Sequence, residues 1–95
     1  MAILLSPLMF KYFVVGGNGE YIFSSNSSYK GSFENDLFNG NGKLIFCNGD
    51  QYNGQFVNGV KEGKGKYTYS NKDEYDGDWK NDKKEGKGVY HYYQS

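Results

Sequence analysis

Short runs in this chain alternate a large residue or a glycine with a polar one, as in Tyr52-Asn53-Gly54-Gln55-Phe56 and Gly65-Lys66-Tyr67-Thr68-Tyr69. A two-residue period is the mark of a β-strand. The runs themselves recur every 23 residues. Phe10, Phe33, Phe56 and Trp79 form one aromatic column, and Tyr29, Tyr52 and Tyr75 form another. Glycines keep the same step in three columns: Gly17, Gly40, Gly63 and Gly86; Gly19, Gly42, Gly65 and Gly88; Gly31, Gly54 and Gly77. A fixed period of this length denotes a stack of one small unit, not a globule built around one active site.

The pattern divides a single domain, 6–95, into units 6–28, 29–51, 52–74 and 75–95, with 1–5 as an N-terminal extension. Each unit reads as a β-hairpin. Its two alternating segments flank a stretch rich in turn formers, Val57 to Lys64 in the third unit, and units are joined by turns such as Asn48-Gly49-Asp50. The expected fold is all-β: an elongated, single-layer antiparallel meander of stacked hairpins with about eight strands. At roughly 4.8 Å between neighbours it would be about 34 Å long. The expected register sets Phe56 against Gly65, Gly54 against Tyr67 and Tyr52 against Tyr69, then Tyr69 against Tyr75 and Tyr67 against Gly77. An aromatic laid over a cross-strand glycine covers bare backbone and has room for its ring. Lys30, Ser32, Asn53, Gln55, Lys66, Thr68, Asp76 and Asp78 fall on the opposite, solvated face. The apolar start, Met1 to Val15, runs from the 1–5 extension into a degenerate capping unit, 6–28, in which Phe10 and Gly17-Asn18-Gly19 fall on the grid. It has no basic residue before Ile3, is broken by Pro7 and Lys11, and is too short to span a bilayer.

Composition agrees. In 95 residues glycine occurs 14 times and aromatics make up 19%, a β composition with one alanine. Eleven basic and eleven acidic side chains cancel, which argues against nucleic acid as a partner. One cysteine, Cys47, allows no internal disulfide and fits a reducing, cytoplasmic setting.

Nothing in the pattern supplies a catalytic, metal or cofactor site. Cys47 and His91 are single and lie in different units, half a zinc site at best. Asp76 and Asp78 share the polar face as a solvated pair. Asp50, Asp73 and Glu74 lie in or beside turns, where acceptors bond local backbone. The Gly-x-Gly pairs lead into strands, whereas a phosphate loop needs a helix N-terminus.

The run Tyr52-x-Gly54-x-Phe56-x-x-Gly59-x-x-x-Gly63-x-Gly65-x-Tyr67-x-Tyr69 closely resembles the MORN repeat, as does Tyr75-x-Gly77-x-Trp79 followed by Gly86-x-Gly88-x-Tyr90-x-Tyr92. The resemblance covers 29–95 well and 6–28 weakly. Asp36 and Asp82 stand where Gly59 stands, Lys72 stands where Gly49 stands, and the first unit has no Tyr-x-Gly. The resemblance implies a twisted single-layer sheet with a groove and no catalysis by the repeats. MORN proteins are scaffolds that join cytoskeletal or ciliary assemblies, link membranes, bind helical peptides in the groove, or sit beside a catalytic domain; nothing here looks like such a domain.

The leading expectation is therefore a non-catalytic protein-interaction module in a cytoskeletal or ciliary assembly. Its partner-binding groove comprises Tyr29, Phe33, Tyr52, Phe56, Tyr67, Tyr69, Tyr75, Trp79, Tyr90 and Tyr92, and takes a helical segment. The uncharged C-terminal strand, Tyr90 to Tyr93, offers an open edge to a second strand, including that of another copy. The alternative is membrane tethering, with Lys80, Lys83, Lys84 and Lys87 in a long hairpin loop binding anionic phospholipid or an acidic partner. A carbohydrate- or choline-binding wall repeat would carry clustered tryptophans, and this chain has one.

Overall fold

The computed structural model describes residues 11–15, 17–23 and 25–93, with backbone alone for the first five. The 1–5 extension and Phe10, first of the aromatic column, lie outside the described residues. Eight strands follow one another in a single antiparallel sheet: β1 (Lys11–Val15), β2 (Asn18–Ile22), β3 (Ser28–Glu34), β4 (Leu37–Ile45), β5 (Gln51–Val57), β6 (Val60–Thr68), β7 (Glu74–Lys80) and β8 (Lys83–His91). Each strand pairs with its sequence neighbours, which is the meander expected from the alternation. The molecule extends 40 × 26 × 22 Å. A flat sheet is only about 10 Å thick, so this one is strongly curled.

Two kinds of turn build the sheet. Within a unit the turn is only two residues long: Asn35-Asp36, Asn58-Gly59 and Asn81-Asp82, all with positive φ. That backbone matches the right-handed twist of the flanking strands. The long loop expected over Val57 to Lys64 is thus absent: β5 runs through Val57 and β6 already begins at Val60. Asparagine and glycine make the turn here, and the lysines and glutamate after them are strand residues. Between units the chain turns over Phe46 to Asp50 and Tyr69 to Asp73, with Gly49 and Lys72 in the left-handed region at φ 98° and 77°.

The register differs from the expected one by two residues. Tyr52 pairs with Tyr67 and Gly54 with Gly65; across the next junction Tyr67 pairs with Tyr75 and Gly65 with Gly77. Rings face rings and glycines face glycines. Past Gly54 the pairing jumps to Phe56 with Lys61, so β6 carries extra residues around Gly63, whose φ is +82°. The same bulge follows Gly31 and Gly77, and bulges bend and twist a sheet. Phe56 does not face Gly65 as expected but meets a glycine on the other neighbouring strand, Gly40, and Trp79 likewise faces Gly63.

The tyrosine ring lies diagonally over the glycine pair. A Cβ on Gly65 would sit 2.2–2.5 Å from the ring and hydroxyl of Tyr52, and one on Gly54 would sit 2.4 Å from the Gly65 backbone. Laid flat, the ring sends its hydroxyl to its own strand: Tyr29 donates to Ser32 O and Tyr52 to Gln55 O, both at 2.8 Å, and Tyr75 to Asp78 O at 3.1 Å. The aromatic core rests on this base: Tyr21, Tyr29, Phe38, Leu44, Tyr52, Phe56, Tyr75 and Trp79 are all buried.

Successive hairpins are also laced together at both sheet ends. At one end Asn58 N donates to Asn39 Oδ1 and Asn81 N to Glu62 Oε1. At the other, Cys47 N donates to Ser27 Oγ, Ser70 N to Asp50 Oδ1 and Tyr93 N to Asp73 Oδ1. Asp50 and Asp73 were expected to bond backbone within their own turns; these bonds instead reach the following unit. The first hairpin is shorter than the rest. Tyr12 pairs with Tyr21, as Tyr52 does with Tyr67, but Val14 stands opposite Gly19 where the later units place a second glycine.

Candidate partner-binding face

The ten residues expected to line a groove fall into two groups. Tyr29, Tyr52, Phe56, Tyr75 and Trp79 are buried, at 0, 0, 1, 4 and 6% exposure, and cannot meet a partner directly. Stacking and edge-to-face contacts satisfy them from within: Tyr29 stacks on Phe38 at 3.7 Å, and Tyr52 meets Phe56 at 5.1 Å and Trp79 at 5.2 Å. The Trp79 indole N–H donates to Gly65 O at 3.0 Å, so its polar atom is satisfied inside the sheet. The curl that buries these rings explains the difference, since a flat sheet would have left them open. Phe33, Tyr67 and Tyr69 stay half-buried, while Tyr90 and Tyr92 are exposed.

The accessible face lies along a third aromatic column, Phe23, Phe46, Tyr69 and Tyr92, of which sequence reasoning named Tyr69 and Tyr92 and missed Phe23 and Phe46. All four share the 23-residue step, and that step was the available signal. An open cleft of about 180 Å³ lies between Phe23 and Phe46, floored by Leu44 and rimmed by Ser25 and Ser27. The apolar lane continues through Phe46 to Tyr67, 5.8 Å between centroids, and from Tyr67 to Tyr69, 4.8 Å. Tyr67 is held in place by its hydroxyl, which donates to Asp50 Oδ2 at 2.8 Å. Burial and that carboxylate both push its ionisation up.

Two lysines belong to this face. Phe38, Lys61 and Lys84 occupy one repeat position. Where Phe38 stacks on Tyr29, Lys61 places its Nζ 5.6 Å from the Tyr52 ring, 5.8 Å from Phe46 and 5.7 Å from Trp79, with Asp82 Oδ1 at 3.7 Å. Lys84 repeats the arrangement against Tyr69, Tyr75 and Tyr90 at 5.2, 5.1 and 4.8 Å, and donates to the Tyr69 and Tyr90 hydroxyls. Burial works against its charge, yet these two hydroxyls leave its ionisation raised. A cation over an aromatic face is attracted by the ring quadrupole.

The basic strip expected over Lys80, Lys83, Lys84 and Lys87 is therefore broken. These residues sit on β7 and β8, not in a long loop. All four are exposed, but Lys84 turns toward the Tyr69, Tyr75 and Tyr90 rings, away from Lys80, Lys83 and Lys87. On the outer face Lys64 is bonded to Asp78, which holds that carboxyl below the usual carboxylate range and raises the Lys64 ammonium. Lys66 lies 3.6 Å from Glu74. Among the described residues, no cluster of histidine, cysteine or carboxylate side chains is arranged to hold a metal, and no helix is long and apolar enough to cross a membrane.

Residues 29–51, 52–74 and 75–94 each match the MORN repeat. The chain belongs to the MORN-repeat family. A comparison with curated proteins gave no match. The matched units begin at Tyr29, Tyr52 and Tyr75, the tyrosines laid over the glycine pairs, so the family pattern and the ring-on-glycine geometry mark the same positions. MORN repeats form interaction modules, and this all-β scaffold type is generally non-catalytic.

Proposed function

We propose that this MORN-repeat chain is a non-catalytic scaffold that docks an amphipathic helix of a partner protein along the lane from Phe23 through Phe46 and Tyr67 to Tyr69. The observation that carries this reading is the open apolar cleft at Phe23, Leu44 and Phe46, continuous with half-buried rings and rimmed by hydroxyls. Exposed apolar surface with a polar rim marks interaction sites, and aromatic rings are frequent anchors in them. A helix suits the lane because the backbone beneath it is already paired in the sheet ladder. An occupant lying on that face must satisfy its own peptide groups, which a helix does internally. The family resemblance supports placing the module in a cytoplasmic cytoskeletal or ciliary assembly.

A photo-crosslinking residue introduced at Tyr69, compared with one at Asn53 on the outer face, tests the reading in cells. Partner crosslinks from position 69 and none from 53 are expected; the reverse pattern would sink it. The membrane alternative is checked by flotation with phosphoinositide liposomes at physiological salt. No flotation is expected, because three exposed lysines interleaved with acids make a weak anionic-lipid site. Flotation abolished by changing Lys80, Lys83 and Lys87 to Gln would favour the membrane reading instead.

A further inference from the structure

Strand β8 is exposed along its whole length, Lys83–His91. Among the described residues it is paired on one side only, with β7, and its other edge is patterned. Just past β4 and β6, residues of the aromatic face turn their backbone groups toward the next strand: Phe46 N donates to Asp50 O and Tyr69 N to Asp73 O, both at 2.8 Å. The corresponding residues of β8 are Gly86, Gly88, Tyr90 and Tyr92. The strand these positions receive inside the sheet has a definite form. Against β6, β7 sets Trp79 opposite Gly63 and Gly77 opposite Gly65. Against β4, β5 sets Phe56 opposite Gly40 and Gly54 opposite Gly42. The edge of β8 thus asks for a glycine opposite Gly88 and, two residues further along the incoming strand, an aromatic opposite Gly86.

β8 itself has that form, as Gly88-Val89-Tyr90. We propose that β8 pairs antiparallel with β8 of a second copy of this chain, about a two-fold axis at Gly88. Gly88 then meets the partner's Gly88, as Gly65 meets Gly77, and Gly86 receives the partner's Tyr90, as Gly63 receives Trp79. Gly86 and Gly88 thus find the class of neighbour that the interior provides, while Tyr90 lies over the partner's Gly86 where Tyr67 inside the sheet meets Tyr75. On the outer face Glu85 comes opposite the partner's His91, a carboxylate acceptor against an imidazole N–H donor, twice by symmetry. A two-fold at Val89 fails, because it sets the partner's Tyr90 against Gly88. That spot is already covered by the Tyr75 ring, 2.3 Å from where a Gly88 Cβ would lie. The interface is isologous and closes after two copies. It uses the sheet edge and not the Phe23–Phe46 cleft, so it stands whether or not the cleft takes a helix.

The register gives the test. In a Cys47→Ser background, Lys87→Cys in one preparation is mixed with Val89→Cys in another. Both side chains are exposed on the outer face, and the two positions form a non-hydrogen-bonded pair with Cα atoms about 4.5 Å apart, within disulfide reach. The mixture should oxidise to a covalent dimer, and neither variant alone should do so. Glu85→Lys should weaken the dimer about tenfold in sedimentation, from two lost cross-strand pairs, and the exchange Glu85→Lys with His91→Glu should restore it. Unmodified chain that sediments at monomer mass at millimolar concentration overturns the proposal. So does crosslinking of Lys87→Cys alone as efficient as that of the mixture.

Discussion

The smallest unit of explanation is one tyrosine over two glycines. Tyr52 is fully buried in a molecule with a single sheet because Gly54 and Gly65 leave bare backbone for its ring to lie on, and its hydroxyl reaches Gln55 O. A side chain on Gly65 must occupy the space of that ring, and the ring has no alternative site in the packed row. Gly65→Val is therefore expected to cost about 3 kcal/mol or more, the range for an overpacked core. Asn53→Val, on the exposed face of the same strand, should change stability by less than about 1 kcal/mol, since β-propensity spans about that much. Thermal unfolding of the two variants checks the contrast. Equal melting temperatures would mean that the ring is free to leave the glycine pair.

Between elements, the informative column is Phe38, Lys61 and Lys84. Phe38 and Lys61 are each read by the hairpin that follows. Gly59 N donates to Phe38 O at 2.8 Å, and Asp82 N to Lys61 O at 3.1 Å. Asp82 also accepts from Lys61 N at 2.8 Å and lies beside its ammonium. A phenylalanine thus goes with glycine in the next turn, and a lysine goes with aspartate. Lys61→Phe alone should gain ring burial but take the ammonium away from the Asp82 carboxylate, leaving stability nearly unchanged. Lys61→Phe with Asp82→Gly copies the Phe38–Gly59 pair and should exceed the parent by about 1 kcal/mol, a fraction of one buried phenylalanine. A double-mutant cycle in denaturant measures the coupling, and strict additivity would refute it. This column was hidden in the sequence because lysine reads as solvent-facing, whereas its long stem lets the charge end among rings. The strands, their order and the glycine columns were legible from the alternation and the 23-residue step. The register was not. A slip of two residues keeps every side chain on its own face, so the alternation fits both pairings equally. The bulge at Gly63 decides between them, and no residue pattern announced it.

At the scale of the whole molecule, the buried phenols make the fold sensitive to alkali. Burial pushes the Tyr29 hydroxyl up to about 12, and Tyr52 and Tyr67 are raised as well, chiefly by burial. A phenol whose ionisation is higher in the folded than in the unfolded chain favours folding fully below the unfolded value of about 10. That contribution is lost as pH rises through the folded value. For Tyr29 the loss is on the order of 2–3 kcal/mol, at about 1.4 kcal/mol per pH unit. The three rings belong to two adjacent units that share one core, so their losses add within one cooperative transition. The sheet signal in circular dichroism is therefore expected to hold to about pH 10 and to collapse between 10 and 12, in step with tyrosinate absorbance from the core. Tyr29→Phe should lower stability at neutral pH by about 1 kcal/mol through the lost hydrogen bond and make the alkaline fall less steep, since one of the linked protons is gone. A sheet that survives above pH 12 with its tyrosines ionised would show that the rings are not sealed by the curl, and the core described here would have to be open to water.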